Sequence, residues 1–129
     1  MFIRRIARAA GVLVSLSAIL VATTLLAPRA DAATTKSCRA TWYGAPGEIP
    51  EGWPTASGQP FHRMALKAAS NELRFRIRVK VIYGGKSVIV TINDRGSFRR
   101  PVCLDLTYGA FRKIANIDLG NIAVKYRVL

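Results

Sequence analysis

Asp94 and Asp105 are the two carboxylates of this chain whose placement could serve chemistry. Asp94 closes the β-branched run SVIVTI (87–92) within Asn-Asp-Arg-Gly, and Asp105 interrupts the otherwise apolar Val-Cys-Leu-Asp-Leu (102–106). A carboxylate inside such a strand is either satisfied by local backbone donors or turned toward a cleft, because an unpaired charge in apolar surroundings is expensive. In a cleft, either aspartate could pass a proton to or from a substrate. The plainer reading stays open on these residues alone. Asn-Asp-x-Gly is a common turn, and an aspartate two residues before Thr107 suits the start of a helix.

The two cysteines bear on the same residues. Cys38 stands three residues before Thr41, and Cys103 stands two before Asp105, on the same strand face. Joining them would hold the strands of Thr41 and Asp105 together, as a preorganised site requires. A disulfide is expected because the chain begins like an exported protein and so meets an oxidising compartment; two buried free thiols are the alternative. A bridge closing so long a loop stabilises by roughly 4 kcal/mol in the chain-entropy estimate. No metal site is expected, since two cysteines and the single His62 do not supply closely spaced ligand pairs. No cofactor is implied.

The export reading rests on the first 32 residues. Arg4, Arg5 and Arg8 form a basic start, residues 9–27 are uncharged and mostly apolar, and Ala30-Asp31-Ala32 offers small residues where a signal peptidase reads. Cleavage is expected after Ala32; an uncleaved membrane anchor is the alternative, interrupted by Ser15, Ser17, Thr23 and Thr24. The mature part, 33–129, then forms one small domain of 97 residues. It carries 16 basic and 6 acidic residues, a net charge of +10, which draws it toward polyanions. After export the nearest of these are the anionic polymers of a cell wall. Nucleic acid is not expected as a partner, because basic and aromatic residues do not form a recognisable module. No stable membrane association is expected after cleavage, and the domain is expected to be a monomer.

Several short strands must position these groups. RFRIRVKVI (74–82) alternates between charge and apolar bulk and predicts a half-buried strand. Gly84-Gly85 turns it into a second strand over 86–92, a hairpin. Residues 39–43, 102–106 and 121–129 are further strands, and 64–69 returns to ordered structure after a Gly- and Pro-rich loop over 45–63. Thr107 caps a helix predicted over 108–116, with Phe111, Ile114 and Ala115 on its apolar side. About six strands in fewer than a hundred residues predict an all-β fold, a small closed barrel with one or two short helices, which hides its strand edges.

Taken together, several motifs resemble the rare lipoprotein A (RlpA-like) family. They are Ala40-Thr41-Trp42-Tyr43-Gly44, Thr55-Ala56-Ser57-Gly58, Phe61, Ala65-Leu66-x-Ala68-Ala69, SVxVTINDRGSF (87–98) and Leu104-Asp105-Leu106-Thr107 followed by Ala110-Phe111. LDLTYGAFRKIAN (104–116) with the closing VKYRVL (124–129) also resembles the first domain of bacterial expansins. The resemblance covers 39–129 and implies a six-stranded double-psi β-barrel acting on peptidoglycan. It further implies lytic transglycosylation, which cleaves the glycan without water and leaves a 1,6-anhydro end, or, in the expansin manner, wall binding and loosening without cleavage. Asp94 and Asp105 match the family's two aspartates and are the implied catalytic residues, Asp94 as acid and then base with Asp105 and Thr41 in support; Thr41 matches a small polar residue near them in expansins.

Three positions depart from the catalytic pattern, which has Glu in SGE, Asp or Asn after the Phe, and His in AAH. Here they read Gln59, His62 and Ser70. His62 stands as a proton carrier or as an exposed loop residue. Arg95, with Arg99 and Arg100, stands as a rim binding substrate anions or as a solvated face. Tyr43, Trp42 and Trp53 are candidates for stacking on sugar rings, with at least one expected in the core. The expected substrate-binding set is thus Thr41, Tyr43, Gln59, His62 and Arg95, and the expected location is extracellular, cell-wall or periplasmic.

Overall fold

The computed structural model describes residues 10–24 and 34–129. The basic start and the expected cleavage point after Ala32 lie outside the described residues. Residues 10–24 form neither helix nor strand, and no described helix is long and apolar enough to cross a membrane.

Six strands, β1 (Lys36–Tyr43), β2 (Lys67–Ala69), β3 (Arg78–Tyr83), β4 (Lys86–Asp94), β5 (Val102–Thr107) and β6 (Asn121–Val128), close into a barrel in the order β1-β5-β2-β4-β3-β6. β1 runs parallel to β5 and β2 parallel to β4, while the other four pairings are antiparallel. Parallel neighbours need crossover connections. Here two crossovers interlock, which is the double-psi arrangement.

The core comes from alternate residues of each strand. Val79 and Val81 of β3, Val88, Val90 and Ile92 of β4, Leu104 and Leu106 of β5, and Ile122, Val124 and Tyr126 of β6 all point inward and are buried. The disulfide between Cys38 and Cys103 is formed, with Cα atoms 5.9 Å apart, and no described cysteine is free.

Two element boundaries differ from those the sequence pattern predicts. β3 starts at Arg78, not at 74, because Arg76 adopts a left-handed φ of 71° that breaks the ladder. The N–H of Arg76 instead donates to the Ile92 carbonyl (2.7 Å), while Phe75 and Ile77 still pack against the core. The burial pattern is therefore as expected although the backbone is not extended. The helix α1 covers only Tyr108–Phe111. Beyond it the N–H groups of Lys113 and Ile114 bond three residues back, and the chain passes through a 3-10 turn at Ile117–Leu119 to Gly120, whose φ is 67°. Thr107 is the N-cap, accepting from the Ala110 N–H. Gly109 is required there: a Cβ on it would lie 2.5 Å from the Met64 carbonyl oxygen.

The turn at Gly84-Gly85 has φ of 53° and 79°, the positive pair that a tight hairpin needs. Residues 45–63 form the expected long loop. Within it 54–60 fold back on themselves through a Pro54–Pro60 bridge, and the Ser57 N–H ties this tip to the Asn93 carbonyl (3.1 Å) at the end of β4.

Candidate active site

Four residues line up across four neighbouring strands. Thr41 of β1 pairs with Asp105 of β5, Asp105 pairs with Ala69 of β2, and Ala69 pairs with Asp94 of β4. Both aspartates reach this row through an irregularity in the ladder. Ala68 pairs with Ile92 and Ala69 with Asp94, so Asn93 is an extra residue. Strict alternation would send Asp94 inward after Val88, Val90 and Ile92. The extra residue turns it out and buries Asn93 instead. A matching irregularity places Cys103 between the pairs Arg39–Val102 and Ala40–Leu104. This corrects the shared face expected for Cys103 and Asp105: Cys103 is buried with the core, whereas Asp105 is half-buried in the row.

The Asp94 carboxylate is held by three donors. Its Oδ1 accepts from the N–H groups of Ala56 and Arg95, each at 2.9 Å, and its Oδ2 from the Tyr43 hydroxyl at 3.3 Å. The Ala56 bond explains the TASG turn: Gly58 (φ 86°) and the Thr55–Gln59 pairing shape a tip that delivers this N–H. Asp94 is thus both a turn residue, bonded to the next N–H, and a member of a cleft.

Asp105 accepts a hydrogen bond from Thr41 Oγ1 at 2.8 Å. Burial pushes its carboxyl up to about 6; the Thr41 bond opposes this rise, and the negative charges of Glu48 and Asp94 add to it. Asp105 therefore holds a proton far closer to neutrality than an ordinary aspartate. Tyr43 is shifted upward as well, first by burial and then by the charges of Asp94 and Asp105, so its hydroxyl stays a donor.

A groove of about 310 Å³ opens beside Asp94, walled by Glu48, Ile49, Pro50, Trp53 and Phe61. Trp53 is 61 % exposed and offers a flat apolar face. Phe61 is buried against Tyr43, with ring centroids 5.7 Å apart. Glu48, which bonds the Ala45 N–H through Oε2 (2.9 Å), is the site residue that sequence reasoning passed over. Its only local signal is the turn Ala-Pro-Gly-Glu, which says nothing of what the loop lies against.

Among the other expected residues, Gln59 lies in the 54–60 tip with a buried Oε1 that has no partner. His62 is exposed, with Nδ1 3.1 Å from Glu51 Oε2, and does not line the groove. Ser70 is buried, and its Oγ accepts from the N–H groups of Glu72 and Leu73. Arg95 directs its guanidinium over the Phe75 ring (4.0 Å) and to the Ser70 carbonyl (2.7 Å). Arg100 pairs with Glu72 through two bonds of 2.8 and 3.0 Å. Trp42 is the aromatic residue taken by the core: its Nε1 donates to the Ile117 carbonyl (2.9 Å) and it meets Tyr108 edge-on.

A closed barrel with two interlocked crossovers and an aspartate on each side of β2 defines a double-psi β-barrel with an acidic groove. Comparison of sequences narrows this class. The profile of the lytic transglycolase family matches residues 35–126, and the chain belongs to that family. Among curated proteins it is 44 % identical over 102 residues to a probable endolytic peptidoglycan transglycosylase RlpA of Synechocystis sp., covering 73 % of this chain and 31 % of that protein. It is 42 % identical over 92 residues to the protein of the same description from Nostoc sp., covering 70 % of this chain and 24 % of that one. The chain thus spans between a quarter and a third of the length of these relatives. Among solved structures, a mutant Clavibacter michiganensis expansin in complex with cellohexaose superposes with a TM-score of 0.62 at 18 % identity, over 74 % of this chain and 50 % of the other, a likeness of fold.

Proposed function

We propose that the chain is exported, loses its first 32 residues, and cleaves peptidoglycan glycan strands in the cell envelope by lytic transglycosylation. The observation that carries the reading is the pair of aspartates flanking Ala69, of which Asp94 lines the groove. The family and the descriptions of the relatives support the substrate and the reaction class.

The reaction needs one proton delivered and one removed. The bond from C1 of the muramic sugar to the bridging oxygen breaks as that oxygen takes a proton. The same sugar's 6-hydroxyl attacks C1 and loses its own proton, closing the 1,6-anhydro ring. Asp105, with its carboxyl raised to about 6, supplies the first proton. Asp94, oriented by three donors, receives the second. Thr41 and Tyr43 position these carboxyls, while Trp53 and Phe61 form the wall against which a sugar ring rests. The test is incubation of the purified mature domain with purified sacculi, followed by mass spectrometry for 1,6-anhydro-muropeptides. Product from the wild type, and its loss in Asp94→Asn and Asp105→Asn, is expected; a wild type that yields none overturns the reading.

Binding without cleavage, in the expansin manner, is the second reading. It draws on Gln59, which has no ionisable group where the catalytic pattern has Glu, and on Ser70, whose hydroxyl is taken up by a backbone turn. Sedimentation with sacculi but no anhydro product is its distinguishing outcome.

A further inference from the structure

Four cations stand on the wall opposite the aspartates. In the order β1-β5-β2-β4-β3-β6 the carboxyl row centres on β5 and β2, so β3 and β6 lie diametrically across the barrel. Alternation sends Arg78 and Lys80 of β3 and Lys125 and Arg127 of β6 outward, between the buried Val79, Val81, Val124 and Tyr126. Lys80 pairs directly with Arg127, and Lys125 with Ile82, so the backbone positions that carry the cations stand about 5 Å apart across strands and about 7 Å along them. Like charges directly opposite each other in a sheet are destabilising. None of the four is in an ion pair; among the described residues those pairs are His62–Glu51 and Arg100–Glu72. Arg127 Nε is moreover buried with no acceptor, a donor left open within this face.

We propose that this face is a second binding surface, for a linear phosphodiester polymer of the cell wall, which holds the barrel while the groove on the far side stays open to glycan. An unpaired cation ladder of this spacing matches a chain of regularly repeated phosphates, and releasing their counterions drives binding. Beside the cations stand Thr91, opposite Arg78, Ile89, opposite Lys80, and Ile82, opposite Lys125. No aromatic ring stands in these outward rows to stack on a base, so a polymer without bases is favoured over nucleic acid. The inference does not depend on cleavage in the groove.

The test measures binding of purified polyglycerol phosphate by titration over a range of salt. Wild type and Asp94→Asn are expected to bind equally. Lys80→Gln with Lys125→Gln, both exchanges on outward positions, is expected to weaken binding about tenfold or more and to reduce the log–log salt slope by about 2. The control Arg63→Gln with Arg112→Gln removes the same net charge beside the Tyr108 ring and should bind like wild type. No binding by wild type overturns the proposal, as does equal weakening by the control, which would reduce the effect to net charge. Tighter binding of a single-stranded RNA of equal charge, or equal retention on sacculi stripped of phosphodiester polymer, also overturns it. Anhydro-product formation from short soluble glycan should be unchanged in Lys80→Gln with Lys125→Gln, which separates this surface from the groove.

Discussion

Asp94 and Asp105 share one neighbour: both pair with Ala69, the last residue of the three-residue strand β2. Their backbones are thus two strand spacings apart, roughly 10 Å, with Ala69 between them in the row. That separation suits two carboxyls working on opposite parts of one sugar better than two competing for one proton. Each is held by its own donors, Asp94 by Ala56, Arg95 and Tyr43, and Asp105 by Thr41.

In the proposed mechanism, replacing either aspartate by asparagine keeps the shape and removes the proton function. Anhydro-muropeptide yield should fall about 10²–10⁴-fold for each, and retention on sacculi should persist. Quantitative mass spectrometry of digests, beside a sedimentation assay, measures both.

With Asp105 as the proposed acid, which must be protonated to act, the rate of cleavage should fall as pH rises through about 6, the value to which Asp105 is pushed. Thr41→Val removes the hydrogen bond that opposes this rise, so the falling limb should move to higher pH, and Thr41→Ser should restore it. A pH–rate profile that stays in place in Thr41→Val would rule out this role for Asp105.

The same shift affects stability. Asp105 is raised from 3.8 to about 6 on folding, so the folded state binds the proton more tightly. The contribution of Asp105 to stability is therefore fully present below about pH 4 and is lost as pH rises through about 6. Asp105→Asn should stabilise the domain by roughly 1–3 kcal/mol at pH 7.5, with no difference near pH 3.5. Thermal melts of both proteins at the two pH values give the comparison.

Reducing the Cys38–Cys103 bridge, or replacing both cysteines by alanine, should cost roughly 4 kcal/mol, given the sequence separation of 65. Denaturant midpoints read this directly. Because the bridge joins β1 and β5 below the Thr41–Asp105 pair, residual activity in the folded fraction should drop as well.

Gly44→Ala tests the groove wall. The residue has φ of 84°, and a Cβ there would stand 2.5 Å from the Phe61 ring. The expected result is a loss of about 1–3 kcal/mol together with weaker glycan retention, because Phe61 must move out of the wall it forms.

Much of this was legible in the sequence because it rests on local rules. The alternation of β3, β4 and β6 comes from apolar residues two apart, and the Gly84-Gly85 hairpin from positive φ. The Thr107 cap follows from a hydroxyl that can bond a free helix N–H. The family motifs pointed to Asp94, Asp105 and Thr41, and the fold places these three in one row. Other features depend on contacts between distant segments. The left-handed turn at Arg76 is held by a bond to Ile92, and no residue near 76 announces it. The extra residue at Asn93 exists only in relation to β2, yet it is what turns Asp94 outward. The raised carboxyl of Asp105 arises from burial and from Glu48, 57 positions earlier in the chain. The sequence by itself determined which side chains are available and which strands carry them. Tertiary structure alone decided the environment of each, because burial and long-range charge are properties of the closed barrel and of no single segment.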